Sequence, residues 1–110
     1  MFIMNRCFMK RPEIVKAIKK VLKQVAPDAT AILYGSEARG DARPDSDIDL
    51  LILVDKERIS LEDEMRIMEP IYEIELQSGV QINPFFETLK KWGKRITPFY
   101  LNAMKEGVAL

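Results

Sequence analysis

Asp47 and Asp49 stand one residue apart at the entry to "IDLLILV", residues 48 to 54, the most apolar run of the chain. On a strand, residues i and i+2 point to the same face, so the two carboxylates project together. Ionised side by side they repel, and charge beside a core strand is costly unless compensated. A divalent cation relieves both problems. The sequence holds no histidine and one cysteine, Cys7. A metal site must then be built from oxygen, which favours Mg²⁺, Mn²⁺ or Ca²⁺. The plainer alternative is a solvated pair that ends the strand and binds nothing.

Twelve residues upstream of Asp47 begins "GSEARG", residues 35 to 40. A glycine after a strand lets backbone N–H groups approach an anion. Ser36 adds a hydroxyl where a helical turn starts, a place that favours phosphate; equally, Ser36 is an ordinary helix cap. Arg39 has two readings, a phosphate contact or an ion pair with an aspartate. The Lys-Ser/Thr of a P-loop is absent, since Asp41 and Ala42 follow Gly40. "DARPDS", residues 41 to 46, is turn-forming and brings the carboxylates back beside the glycine turn. An anion cradle then faces a cation holder, an arrangement suited to a metal-bound nucleoside triphosphate.

Apolar residues at Ile14, Ile18, Val21, Leu22 and Val25 predict a helix over 12–26, started by Pro12 and ended by Pro27. "TAILYG", 30 to 35, reads as a strand. Residues 48–54 read as a strand covered on both faces, antiparallel to the first because the interval is too short for a crossover. A second helix spans 60–77 through Leu61, Met65, Met68 and Tyr72, with a kink or stop expected at Pro70. A third strand is expected over 80–86, with Val80 and Ile82 facing one way and Pro84 marking either an edge strand or the strand's end. Thr97-Pro98 opens a last helix, 98–106, stopped by Gly107. The predicted fold class is α/β (α+β): a small mixed β-sheet packed by helices.

The chain has 110 residues, enough for one domain with its own core. Residues 1–11 are expected to form a loosely packed extension. Seventeen basic residues balance seventeen acidic ones, which gives no electrostatic reason to expect nucleic-acid or membrane binding and little protection against self-association. The start, "MFIMNRCFMK", does not read as a signal peptide. No run approaches the ~20 apolar residues needed to span a bilayer. A lone cysteine fits a reducing cytoplasm.

Gly35, Ser36, Ala38, Arg39 and Gly40, followed by Ser46, Asp47, Asp49 and Leu50 on a strand, resemble the minimal nucleotidyltransferase branch of the DNA polymerase beta superfamily. "TPFYLNAMKEGVAL" is similar to the closing helix of such domains, so the likeness runs from about residue 12 to the end. The resemblance implies triphosphate binding by Gly35 and Ser36, with Arg39 and Ser46 beside them. It implies catalytic and metal-binding roles for Asp47 and Asp49 in a two-ion Mg²⁺ site, with Mn²⁺ as a substitute. The implied reaction transfers a nucleoside monophosphate, expected to be AMP from ATP, to a hydroxyl on a protein or small molecule. The family usually places a third carboxylate on a neighbouring strand; the polar residues of that strand here are Gln81 and Asn83. The alternative implied is a weakly active or inactive nucleotide-binding, antitoxin-like module that binds a HEPN-type helical protein or a second copy of itself. Trp92, Phe99, Tyr100, Met65 and Met68 are candidate contact residues for such a partner.

Overall fold

The computed structural model describes residues 11–110. Apart from Arg11, which is helical, the expected N-terminal extension lies outside the described residues, and so does Cys7. The elements run α1 (Arg11–Val25), β1 (Thr30–Tyr34), α2 (Ser36–Arg39), β2 (Ile48–Val54), α3 (Leu61–Ser78), β3 (Ile82–Thr88), α4 (Pro98–Glu106) and β4 (Val108–Ala109). The sheet order is β3-β2-β1-β4. β1 pairs antiparallel with β2 and β4, and β3 pairs parallel with β2. The sheet is mixed, as the sequence predicts. The two-residue β4 was not expected; it follows from Gly107. A β-carbon there would meet the Ala103 carbonyl oxygen at 2.3 Å and Ile32 at 2.7 Å, so only glycine lets the chain turn from α4 onto the β1 edge.

β2 is the centre of the fold, and its alternation decides where the charges go. Ile48, Leu50, Ile52 and Val54 fill one core with Ile14, Ile18 and Leu22 of α1 and Ile67, Ile71 and Ile74 of α3. Leu51 and Leu53 face the other way, against Ala103 of α4, with Ile32, Tyr34, Trp92 and Phe99 around them. The odd positions therefore carry Asp49 onto the α4 face.

α3 corrects two expectations. It runs unbroken through Pro70. Proline inside a helix costs about 3 kcal/mol, but Ile67 and Ile71 flank it and are fully buried, each contributing roughly 1.5–3 kcal/mol. The buried stripe is Asp63, Ile67, Ile71, Ile74 and Ser78. Leu61, Met65, Met68 and Tyr72, the positions that defined the helix in the sequence, face solvent.

β3 begins at Ile82, two residues later than expected, and continues through Pro84 to Thr88. Ile48 N–H donates to the Gln81 carbonyl and Leu89 N–H to the Val54 carbonyl. Odd residues of β3 thus turn their backbone to β2 and even residues turn theirs to the free edge. On that edge Ile82 N–H donates to Glu75 and Thr88 N–H to Glu87, while Pro84 has no N–H. An edge so short of donors resists pairing with another strand.

Candidate active site

Asp47 lies just before β2 and is exposed; Asp49 lies within it and is half-buried. Asp49 sits in register between two neighbours, Tyr34 on β1 and Asn83 on β3. The Asn83 side-chain amide donates to Asp47 Oδ2 at 3.1 Å and to Asp49 Oδ1 at 3.4 Å. Gln81 Nε2 in turn donates to Asn83 Oδ1 at 2.9 Å. The aspartates are therefore brought together, and a neutral donor bridges them from the strand where the third carboxylate was sought. Among the described residues no third acidic side chain joins the pair. On the other flank, burial first and the Asp49 charge second push the Tyr34 phenol up from its ordinary value, so Tyr34 stays neutral.

The glycine turn closes on the pair from the β1 side. Gly35 is the N-cap of α2, with φ 73° and no side-chain cap bond, which removes the reading of Ser36 as the cap. The first bond of α2 runs from Arg39 N–H to the Gly35 carbonyl, 3.0 Å. The N–H groups of Ser36, Glu37 and Ala38 thus have no acceptor within the turn. Arg39 reaches Asp41 at 3.2 Å and Glu106 of α4 at 3.2 Å; the Asp41 hydrogen bond and charge raise its pKa further. Of its two readings the ion pair with an aspartate is the one seen, but both partners, Asp41 and Glu106, lie outside the Asp47/Asp49 pair. Ser46 accepts from Arg43 N–H at 2.9 Å and returns its own N–H to the Arg43 carbonyl at 3.0 Å, so it closes the loop that delivers Asp47.

Arg11 is a site residue that the sequence reading missed. Its Nε donates to Glu37 at 2.6 Å and its Nη1 to the Pro44 carbonyl at 3.2 Å. One guanidinium ties the glycine turn to the loop before Asp47. The sequence reading put Arg11 in the extension before the helix, so no signal marked it; as the first residue of α1 it stands where the macrodipole disfavours a cation, and Glu37 offsets that.

The donor set fits a divalent ion bound with a nucleotide. Mg²⁺ takes one or two carboxylates, with phosphate oxygens and water completing the shell. Asp47 and Asp49 would supply those carboxylates, and the bridging amide already offsets part of their mutual repulsion. Turning that amide over would present Asn83 Oδ1 as a neutral ligand.

Comparison with known proteins identifies the family. Residues 15–107 match the family model described as nucleotidyltransferase domain. The chain belongs to the nucleotidyltransferase family. Two relatives from Methanocaldococcus jannaschii both bear the name "putative protein adenylyltransferase". One is 38% identical over 74 residues, covering 66% of this chain and 74% of its own. The other is 36% identical over 80 residues, covering 72% and 74%. A solved structure titled as a putative minimal nucleotidyltransferase aligns with TM-score 0.59 and 25% identity over 90% of this chain and 94% of its own. One from Sulfolobus solfataricus aligns with TM-score 0.55 and 19% identity, over 99% and 89%, and supports the fold alone. This nucleotidyltransferase domain is a minimal one of the expected type. Among the described residues no helix is long and apolar enough to cross a membrane.

Proposed function

We propose that the domain transfers AMP from Mg²⁺-bound ATP to a hydroxyl of a protein, in a reducing cytoplasm. One observation carries this reading: the Asp47/Asp49 pair stands between the Gly35–Ser36 turn and Asn83. Asp47 and Asp49 would hold the ion, which when bound supplies positive charge for the α-phosphoryl group and the departing pyrophosphate. Ser36 and the free N–H groups of α2 receive the β and γ phosphates. Arg11 keeps the two halves of the site at a fixed spacing, and Ser46 shapes the loop. The acceptor oxygen bonds to the α-phosphorus as the bond to the bridging oxygen breaks and pyrophosphate leaves. The hydroxyl proton passes to Asp49 and then to water, because Asn83 cannot take it. The names of the two M. jannaschii relatives support AMP and a protein acceptor.

The test is calorimetric titration of ATP with Mg²⁺ and with EDTA, beside Asp47→Ala/Asp49→Ala. The reading requires binding that needs Mg²⁺ and disappears in the variant. Binding that persists unchanged in the variant removes the site assignment.

A second reading, a nucleotide-binding module with weak turnover that docks a HEPN-type helical protein, is favoured by the outer face of α3. Leu61, Met65, Met68, Tyr72 and Leu76 form an exposed stripe at helical spacing. Glu62, Glu64, Glu69 and Glu73 flank it, so two copies of this face would repel and a helix with basic flanks is the better match. Met65→Glu/Tyr72→Glu should release such a partner and leave ATP binding intact.

A further inference from the structure

In-line displacement puts the attacking and leaving oxygens on opposite sides of the phosphorus. The Gly35–Ser36 turn follows β1, on one side of β2; Asn83 stands on β3, on the other. With pyrophosphate leaving toward the glycine turn, the nucleophile must arrive from β3. A groove of about 730 Å³ opens there. Its nearest wall residue, Phe85, is two positions beyond Asn83 on the same strand face. Trp92 and Tyr100 continue the wall, and Lys91, Lys94 and Arg95 supply its charge. Among the described residues Glu87 is the single acid in the lining. The neighbouring Lys90 already pairs with Glu57.

We propose that this groove receives the acceptor as an acidic, hydroxyl-bearing polypeptide segment. The proposal rests on the transferase reading above and adds the acceptor's chemistry to it. Three cations against one acid select negative side chains. The exposed ring of Phe85 and the half-buried ring of Trp92 offer apolar area to the backbone and side chains of such a segment.

The observations favour a polypeptide over nucleic acid. Trp92 meets Phe99 at 72° and Tyr100 at 58°, and Phe85 meets Phe99 at 63°. Two of these pairs are edge-on and the third is tilted, so the rings do not form a set of parallel platforms for successive bases.

Trp92 is the sole tryptophan of the chain, so its fluorescence reports the groove directly. The probes are short peptides of glutamates around one serine, with alanine-substituted and lysine-substituted versions, and a single-stranded RNA oligomer. The acidic peptide should change Trp92 emission saturably, with an affinity that falls as salt rises. Lys91→Glu/Lys94→Glu/Arg95→Glu should weaken it roughly tenfold or more while Mg²⁺-ATP binding by calorimetry stays unchanged. Equal binding of the alanine peptide, tighter binding of RNA, or no response to any peptide overturns the proposal. So does a saturable Trp92 response to Mg²⁺-ATP alone, which would give the groove to the nucleotide. Intact ATP binding in the same titrations separates these failures from failure of the transferase reading.

Discussion

A β-carbon on residue 35 would lie 2.6 Å from Oδ2 of Asp49. Gly35 is therefore held to glycine twice, by the half-buried carboxylate in front of it and by its positive φ of 73°. Under the proposed function the same closeness would let the turn and the carboxylates act on one ligand. Gly35→Ala should lower stability by about 1–3 kcal/mol, the range for a strained backbone position, and push Asp49 out of register with Asn83. Mg²⁺-ATP affinity should fall with it. Denaturant unfolding and calorimetry measure both effects; wild-type values in both would show that the turn tolerates a side chain.

Asn83 contributes hydrogen bonds where an acid would contribute charge. Asn83→Asp replaces two N–H donations to carboxylates with a third negative group. Hydrogen bonds to charged groups are worth about 1.5–3 kcal/mol, so the variant should be less stable than wild type in EDTA by an amount of that order. Excess Mg²⁺ should restore that stability by binding the folded form, and the gain on adding Mg²⁺ should exceed the wild-type gain. Urea denaturation with and without the ion decides it: equal stability in both conditions would mean that Asp47, Asp49 and residue 83 do not share a cation.

Much of this was legible in the residues because it depends on local chemistry. Alternation along 48–54 placed Asp47 and Asp49 together, and the antiparallel pairing of β1 with β2 followed from a short interval. The strand carrying Asn83 was identified, although Gln81 falls just before it, and of the two readings of Pro84 the edge strand held and the strand end did not. What the sequence could not give was tertiary. Nothing in the order of residues says that Asn83 bridges both aspartates, that Arg11 spans from Glu37 to Pro44, or that Arg39 turns to Asp41 and Glu106. Pro70 failed as a stop because the isoleucines around it hold the helix down. For α3, helical spacing fixed the period but not the phase.

The phase of α3 is testable. Two apolar stripes run along it, and Met65 is 59% exposed and Tyr72 57%, against 0% for Ile71. Met65→Lys and Tyr72→Lys should each change stability by no more than about 0.5 kcal/mol. Ile71→Ala should cost about 2–5 kcal/mol, because it opens a cavity under the sheet. Thermal or urea unfolding of the three variants checks the order. A large loss from either lysine with a small one from Ile71→Ala would put the other stripe inside.

Asp63, on the buried side of the same helix, should contribute to the acid sensitivity of the fold. It accepts from Lys56 Nζ at 2.8 Å, from Ser60 N–H at 3.2 Å and from Arg66 Nη2 at 3.0 Å, and its own N–H donates to Ser60 Oγ at 3.0 Å, closing a capping box. The Lys56 bond first, then the Ser60 N–H, hold the carboxyl well below its ordinary value of 3.8, against the opposing effect of burial. The folded pKa lies below the unfolded one, so this contribution is complete above the ordinary aspartate range and is lost as pH falls below it toward the folded value. Asp63→Asn keeps the shape but not the charge. It should be less stable than wild type at neutral pH and should lose less on acidification, so the two curves converge toward low pH. Urea midpoints measured from neutral pH down to about pH 2 give the comparison. Curves that stay parallel would mean that the acid sensitivity of the fold lies in other carboxylates and that the Lys56–Asp63–Arg66 cluster acts only through its geometry.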